Sequence, residues 1–266
     1  MSTYAVGDIH GCFTSLRALL AEMKFNPKRD TLWCCGDLIN RGPKNVETLE
    51  LLMALPNLKV TLGNHDLHFL AISEGIATVG GSDTISDLLD HPRLPEFKNW
   101  LRAQSLLVVD PSKNIVMTHA GLPEIWNIKQ ATQIAEEIEA HLRGANWQVF
   151  LKNMYGNDPT TWRDDLETTE HLRLATNILT RMRYYRHSAT FEFHHKGSTA
   201  PAGFEPWFNY RHPELREITI LFGHWAALGG VRRSDLAGLD TGCVYGRSLT
   251  ALRLEDKTYF SVPSQL

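Results

Sequence analysis

Three times within the first 66 residues a short apolar run stops at a glycine that is followed at once by metal-ligating residue types. Tyr4-Ala5-Val6 leads into Gly7-Asp8-Ile9-His10-Gly11. Residues 31–35 lead into Gly36-Asp37-Leu38-Ile39-Asn40-Arg41-Gly42-Pro43, and residues 59–62 into Gly63-Asn64-His65-Asp66. The runs read as strands. Between them Phe13, Leu16, Leu19, Leu20 and Met23 share one helical face, and residues 46–55 after Pro43 form a second helical pattern. The order βαβαβ makes such strands parallel and packs the helices against their sheet. The chain is thereby restricted to an α/β fold, and the ligand-bearing glycine turns fall at strand carboxyl ends, where sites assemble in open sheets.

The grammar continues. Ile115-Val116-Met117-Thr118 ends in His119-Ala120-Gly121, and residues 218–222 end in Gly223-His224-Trp225. Between these two strands the chain turns polar and aromatic. Residues 130–142 and 171–182 read as helices, and residues 191–207, with Gly197, Pro201, Gly203 and Pro206, read as an irregular loop. Strand patterns return at residues 236–239, 249–254 and 258–262. The expected organisation is one domain over residues 1–266, with a helical and loop insert at about 125–210.

Composition removes several classes. With 27 Lys+Arg against 30 Asp+Glu the chain lacks the basic surplus of a general nucleic-acid binder. No apolar run has the length of a membrane span, and Met1–Val6 lacks the features of a secretory signal. Cys12, Cys34, Cys35 and Cys243 match neither a disulfide framework nor a zinc site, and read as small buried hydrophobes in a reducing compartment. A cytoplasmic protein without a membrane partner is expected. As strand neighbours, Cys34 and Cys35 should face opposite ways.

Asp8, His10, Asp37, Asn64, His119 and His224 offer carboxylate, amide and imidazole donors without a thiolate. That set suits Mn²⁺, Fe, Co²⁺, Zn²⁺ or Mg²⁺. Six donors exceed the need of one ion that keeps positions open for substrate, so two divalent ions bridged by one carboxylate are expected. Singly, each residue could serve as a cap or turn residue. Their recurrence at successive strand ends favours ligation.

The signatures Gly7–Gly11, Gly36–Gly42 and Gly63–Asp66, with His119 and His224 following, resemble the phosphoprotein-phosphatase branch of the calcineurin-like metallophosphoesterases over about residues 4–254. Within it, Gly36–Pro43, Gly223-His224-Trp225 and Leu239-Asp240-Thr241-Gly242-Cys243-Val244-Tyr245-Gly246 are similar to the symmetrical bis(5′-nucleosyl)-tetraphosphatases, bacterial hydrolases of diadenosine tetraphosphate. The resemblance implies an αββα sandwich, two facing mixed β-sheets flanked by helices. It implies that Asp8 and His10 hold one ion, Asp37 bridges, and Asn64, His119 and His224 hold the second, with Mn²⁺ or Co²⁺ the leading choices. A hydroxide between the ions would attack phosphorus in line, splitting the substrate into two ADP. Arg41 would grip phosphate with its planar fork, and His65 would protonate the leaving oxygen. Asn40 would orient His65; Asp66 would assist among the catalytic groups by orienting its neighbours, or cap the following helix. Arg183, its neighbour Arg181, Lys196 and Tyr245 are expected on the remaining phosphates and a base. Tyr184, Tyr185, Trp207 and Phe208 suit either stacking or core, whereas Trp225 reads as packing and His68 as an ordinary helical residue. The run Glu136-Glu137-Ile138-Glu139 reads as a solvated helix face. RNA carrying a dinucleotide-type 5′ cap would be a further substrate.

One departure matters. Protein phosphatases of this branch carry aspartate where this chain has Asn40, which brings no charge to raise the histidine. A serine alkoxide needs a strong proton donor on leaving; a nucleotide phosphate, with a second pKa of about 6, needs far less. Two other readings use the same residues: a Ser/Thr-type protein phosphatase, and a non-catalytic nucleotide-binding sensor. Asn40 and Gly223-His224-Trp225 count against the first, and the complete ligand set against the second.

Overall fold

The alternation of the N-terminal region is realised as β1 (Thr3–Val6), α1 (Phe13–Glu22), β2 (Thr31–Cys34), α2 (Asn45–Met53), β3 (Leu58–Val60) and α3 (Asn64–Ser73). The computed structural model describes residues 1–266. Two further helices, α4 (Ser86–Leu89) and α5 (Leu94–Arg102), lead to β4 (Leu107–Asp110) and β5 (Ile115–Thr118). Next come α6 (Ile128–Arg143), α7 (Trp147–Asn153) and α8 (Thr168–Arg181), then β6 (Tyr184–Arg186), β7 (Thr190–Glu192) and β8 (Glu205–Pro206). The chain closes with β9 (Thr219–Phe222), β10 (Val231–Arg232), β11 (Leu236–Gly238), β12 (Ser248–Arg253) and β13 (Thr258–Pro263).

Two mixed five-stranded sheets result, in the orders β13-β12-β1-β2-β3 and β10-β11-β9-β5-β4. In the first, β1, β2 and β3 run parallel; in the second, β5, β9 and β11 do. Side-chain alternation makes the sandwich. Ala5, Trp33, Cys35 and Leu252 of the first sheet meet Met117, Leu221 and Ala237 of the second in one apolar layer. Their neighbours Val6, Cys34, Ala251 and Ile220 belong to the cluster shared with the helices. Cys34 and Cys35 thus take opposite faces, and all four cysteines are free and buried. No helix is long and apolar enough to cross a membrane.

Several local expectations are corrected. Residues 191–207 are not wholly irregular: β6, β7 and β8 pair as a small antiparallel sheet. Its strands have two or three residues, too few to leave a period-2 pattern. Of the two readings open for Tyr184, Tyr185, Trp207 and Phe208, the core is the one realised, since all four are buried. Glu139 is not a solvated residue, since its carboxylate accepts from Leu106 N at 2.8 Å and from Arg143 Nη2 at 2.9 Å.

Candidate active site

Six parallel strands, three from each sheet, deliver the expected residues to one end of the sandwich. β1 is followed by Asp8 and His10, β2 by Asp37, β3 by Asn64, β5 by His119, β9 by His224 and β11 by Asp240. Contacts between the two sets close the site. Within the second set Gly223 N donates to His119 O at 2.8 Å, and across the two sets His224 N donates to Asp8 Oδ1 at 3.0 Å. This approach requires glycine: a Cβ at Gly223 would lie 2.0 Å from Asp8 Oδ1, and one at Gly63 would lie 2.0 Å from Asp37 Oδ1. Gly223→Ala is therefore expected to displace the Asp8 carboxylate and lower bound metal below two ions per chain, as atomic emission on the folded variant would read. Two ions retained would sink it.

Asp37 sits at the centre. Its Oδ2 lies 3.5 Å from both His10 Nε2 and His119 Nε2, while Oδ1 accepts from His65 N at 2.9 Å. Two groups able to hold a cation share this carboxylate: His10, Asp37 and His65, and Asp37, His119 and His224. Asp8 is adjacent, with Oδ2 3.9 Å from His10 Nε2. The second ring nitrogens are occupied. His119 Nδ1 is 2.6 Å from Cys35 O and His10 Nδ1 is 3.3 Å from Ile39 O, so each donates there and turns the lone pair on Nε2 inward. Nε2 of His119 and Nε2 of His224 are buried without a partner. The Asn64 amide also faces acceptors: one terminal atom stands 3.1 Å from both His224 Nδ1 and Thr180 O. A nitrogen there donates to both; an oxygen there joins His224 Nδ1 as a pair of lone pairs that a cation satisfies. Oxygen and imidazole donors converging with orphaned buried nitrogens fit divalent metal ions.

Around this centre lies a cleft of about 360 Å³. Asp8, His10, Asp37, Asn64, His65 and His224 line it, with Arg41, Arg181, Arg183, Lys196 and Tyr245. His119 is fully buried behind them. Backbone strain is concentrated here. Of nine non-glycine residues with positive φ, five are His10, Asp37, Asn40, Arg41 and His224, with φ between 48° and 74°.

The profile of the calcineurin-like phosphoesterases matches residues 1–228. A protein of Marinomonas sp. (strain MWYL1), named symmetrical bis(5′-nucleosyl)-tetraphosphatase, is 44% identical over 100% of this chain and 98% of its own length. One of the same name from Cellvibrio japonicus (strain Ueda107) is 46% identical over 96% of each. The chain belongs to the symmetrical bis(5′-nucleosyl)-tetraphosphatase family. The fold is shared with a crystal structure described as a candidate diadenosine tetraphosphatase, at a TM-score of 0.68 and 24% identity over 99% of this chain and 93% of that one. It is shared more distantly with a Saccharomyces cerevisiae serine/threonine phosphatase, at a TM-score of 0.53 and 15% identity over 100% and 80%.

In this member of the tetraphosphatase family, burial and crowding set the charges. Burial holds the Asp8 carboxyl well above its usual range, aided by Asp240 and Asp37. Burial likewise raises Asp240, against the opposing pull of His10. Burial would raise Asp37 too, but His119, His65 and His10 outweigh it and hold that carboxyl well below the usual range. Burial lowers His65 to about 4, so its imidazole is neutral at pH 7.

Two placements depart from expectation. Asp66, expected among the catalytic groups, is fully buried and does not line the cleft. Its carboxylate accepts from Gly63 N at 2.8 Å and Leu38 N at 3.0 Å, which caps α3 and ties the loops of Asp37 and Asn64 together. The reason is its position in the first turn of α3, where orphan N–H groups attract a carboxylate. Arg247 and Asp240, expected nowhere in the site, line the cleft. Asp240 follows β11 as the other acidic residues follow their strands, whereas Arg247 enters from a turn that carries no such signal.

A loop unmarked by any motif completes the site. Asn40 Oδ1 accepts from Arg41 N at 2.7 Å and Thr84 N at 3.1 Å. Its Nδ2 donates to Asp83 Oδ1 at 2.9 Å and stands 3.2 Å from His65 Nδ1. With the amide oxygen taken, nitrogen must face His65, so His65 Nδ1 accepts and the ring hydrogen resides on Nε2. Ser82, from the same loop, accepts from Arg41 Nη1.

Proposed function

We propose that this chain hydrolyses diadenosine tetraphosphate symmetrically, water adding across one phosphoanhydride to give two ADP. The observation that carries the reading is the Asp37 carboxylate standing between His10, with Asp8 beside it, and the pair His119 and His224, inside a cleft rimmed by Arg41, Arg181, Arg183, Lys196 and Arg247. A tetraphosphate carries its charge along a chain, and cations spread around one centre complement such a chain. The names of the relatives agree in substrate and in symmetry of cleavage.

Asp8, His10, Asp37, Asn64, His119 and His224 would hold two divalent ions, Mn²⁺ or Co²⁺ being our choice, with Fe, Zn²⁺ and Mg²⁺ compatible with the same donors. Bound there, the ions supply an acidified water and offset charge developing at phosphorus. The protein does the rest. Arg41 and Arg183 grip phosphate oxygens; Arg183 Nε is buried without a partner, ready for an acceptor, while its Nη2 donates to His224 O at 3.2 Å. His65, neutral and carrying its hydrogen on Nε2, donates to the leaving oxygen. A departing ADP phosphate accepts such help without needing a full proton. Asn40 fixes that tautomer, and Asp66 holds the loops.

Asn40 is thus the determinant of leaving group. Aspartate at 40 would also abut Asp83, whose carboxylate is 4% exposed, so the informative variant is the swap Asn40→Asp with Asp83→Asn. Relative to the native chain, its ratio of phosphoserine-peptide to diadenosine tetraphosphate turnover is expected to rise about tenfold. A ratio that does not move removes the argument.

RNA ending in a dinucleotide-type cap presents the same linkage and is a further substrate of this reading. The four free cysteines suit a reducing compartment, and we place the protein in the bacterial cytoplasm. The deciding experiment is chromatography of products after incubation of the Mn²⁺-loaded protein with diadenosine tetraphosphate. Two ADP, lost with chelator, support the reading. ATP plus AMP overturn the symmetry, and turnover of a phosphopeptide alone overturns the substrate.

A further inference from the structure

Of the Phe, Tyr and Trp side chains, only Tyr155 and Tyr245 are exposed, at 41% and 62%. Tyr245 lines the cleft over the Asp37 centre. Tyr155 lines a second cavity of about 440 Å³, and the two share Asn64 and Arg181 as common wall. That size lies within the range of small-ligand sites, roughly 300–1,000 Å³.

The second cavity has the chemistry of a nucleoside site. Leu67 and Met154 offer apolar surface and Asn157 offers an amide, while the amide of Asn177 is committed to the wall, donating to Gly156 O at 2.8 Å. Its aromatic is braced: His68 Nδ1 and Tyr155 Oη lie 2.7 Å apart, with the rings edge to face at 6.0 Å. His68 Nε2 in turn lies 3.5 Å from Asp83 Oδ2, the carboxylate whose other oxygen holds Asn40. His68 is therefore not the ordinary helical residue its sequence position suggested. Arg181, on the shared wall, is fixed by donating from Nη1 to Asn177 Oδ1 at 2.9 Å.

Resting on the function proposed above, we infer that this second cavity seats one of the two nucleosides. Symmetrical cleavage leaves two phosphates and a nucleoside on each side of the broken bond, so the site must receive two equal arms. A single exposed aromatic can stack one base. Tyr245 receives one arm in the metal cleft; the other passes Arg181, which takes its phosphate, and stacks its base on Tyr155.

The test is ADP binding to the metal-loaded protein by titration calorimetry, since the two products would occupy both arms. Two ADP per chain are expected, falling to one in Tyr155→Ala. Tyr155→Phe, which keeps the ring and loses the bond to His68, should restore the second ADP, a rescue that a merely structural hydroxyl would not give. In turnover, Tyr155→Ala should lower the ratio of kcat/KM for diadenosine tetraphosphate to that for bis(p-nitrophenyl) phosphate about tenfold. One ADP in the native chain, or two in Tyr155→Ala with an unmoved ratio, overturns the inference. Two ADP falling to one in a protein that fails to cleave diadenosine tetraphosphate would uphold the cavity and overturn the substrate.

Discussion

Asp37→Asn is expected to lower turnover of diadenosine tetraphosphate by about a thousandfold or more, the scale on which a single charge-stabilising group acts in a dry site. The substitution preserves shape and removes what the position needs, two anionic oxygens. One oxygen accepts from His65 N at 2.9 Å and the other stands 3.5 Å from His10 Nε2 and His119 Nε2. An amide has a single acceptor. If its oxygen serves His65 N, an N–H turns toward the metal centre; if it serves the centre, N–H meets N–H at His65. Either way the carboxylate common to both cation groups is gone, and metal content should fall from two ions to one or none. Circular dichroism would establish that the variant folds. Two bound ions with turnover within tenfold of the native chain would refute the shared role of Asp37.

Chelation should lower Tm, and lower it further at alkaline pH. Asp8, Asp37, Asp66 and Asp240 are buried within one crowded region. At a metal concentration of a hundred times Kd, each ion stabilises by about 2.7 kcal/mol. For a chain of this size that is roughly 5–10 °C of Tm per site. The sign of the pH effect follows from the shifts. Asp8 and Asp240 are raised by burial, and Asp66 is raised to about 7 by burial and by Asp37. Between the ordinary carboxylate range and these values the folded chain holds more protons at these three carboxyls, and at His119, than the unfolded one, which lowers stability as pH rises from 4 to 7 and outweighs the opposite effect of the two lowered histidines, His65 and His224. Asp37 is shifted the other way; its contribution is present above the ordinary carboxylate pKa and is lost only in acid. Stripped protein should thus melt lower at pH 8 than at pH 5. Metal-loaded protein should lack that slope, since metal prefers the deprotonated carboxylates and binds more tightly as pH rises. Calorimetric scans at both pH values, with metal and with chelator, would read this. A Tm indifferent to chelator would count against resident ions.

The strands that carry the site were legible because each ends in the same pattern, apolar run, glycine, ligand type, and the residues of all five ends do converge. What stayed hidden obeys no local period. The loop holding Ser82, Asp83 and Thr84 reaches Asn40 and Arg41 from about 40 residues away through single side-chain and backbone contacts. Arg247 likewise enters from a turn near the C-terminus. Tyr155 lies just after α7, which has seven residues and no amphipathic run long enough to be read as a helix. Asp66 takes the capping place rather than one beside His65 for a different reason: adjacency to a motif says which loop a carboxylate is on, and the helix N-terminus decides which way it turns.

The five left-handed residues at the centre bear on how such a protein can change. The left-handed region disfavours L-residues, Asn, Asp and His less than others, so His10, Asp37, Asn40, Arg41 and His224 together hold backbone strain that glycine in their places would release. Selection for thermal robustness alone would draw these positions toward glycine, and every such step would remove a side chain on which the proposed function relies. Evolution toward heat resistance in this scaffold must therefore run through the sandwich and its helices, leaving the rim as a fixed liability that the rest of the molecule offsets.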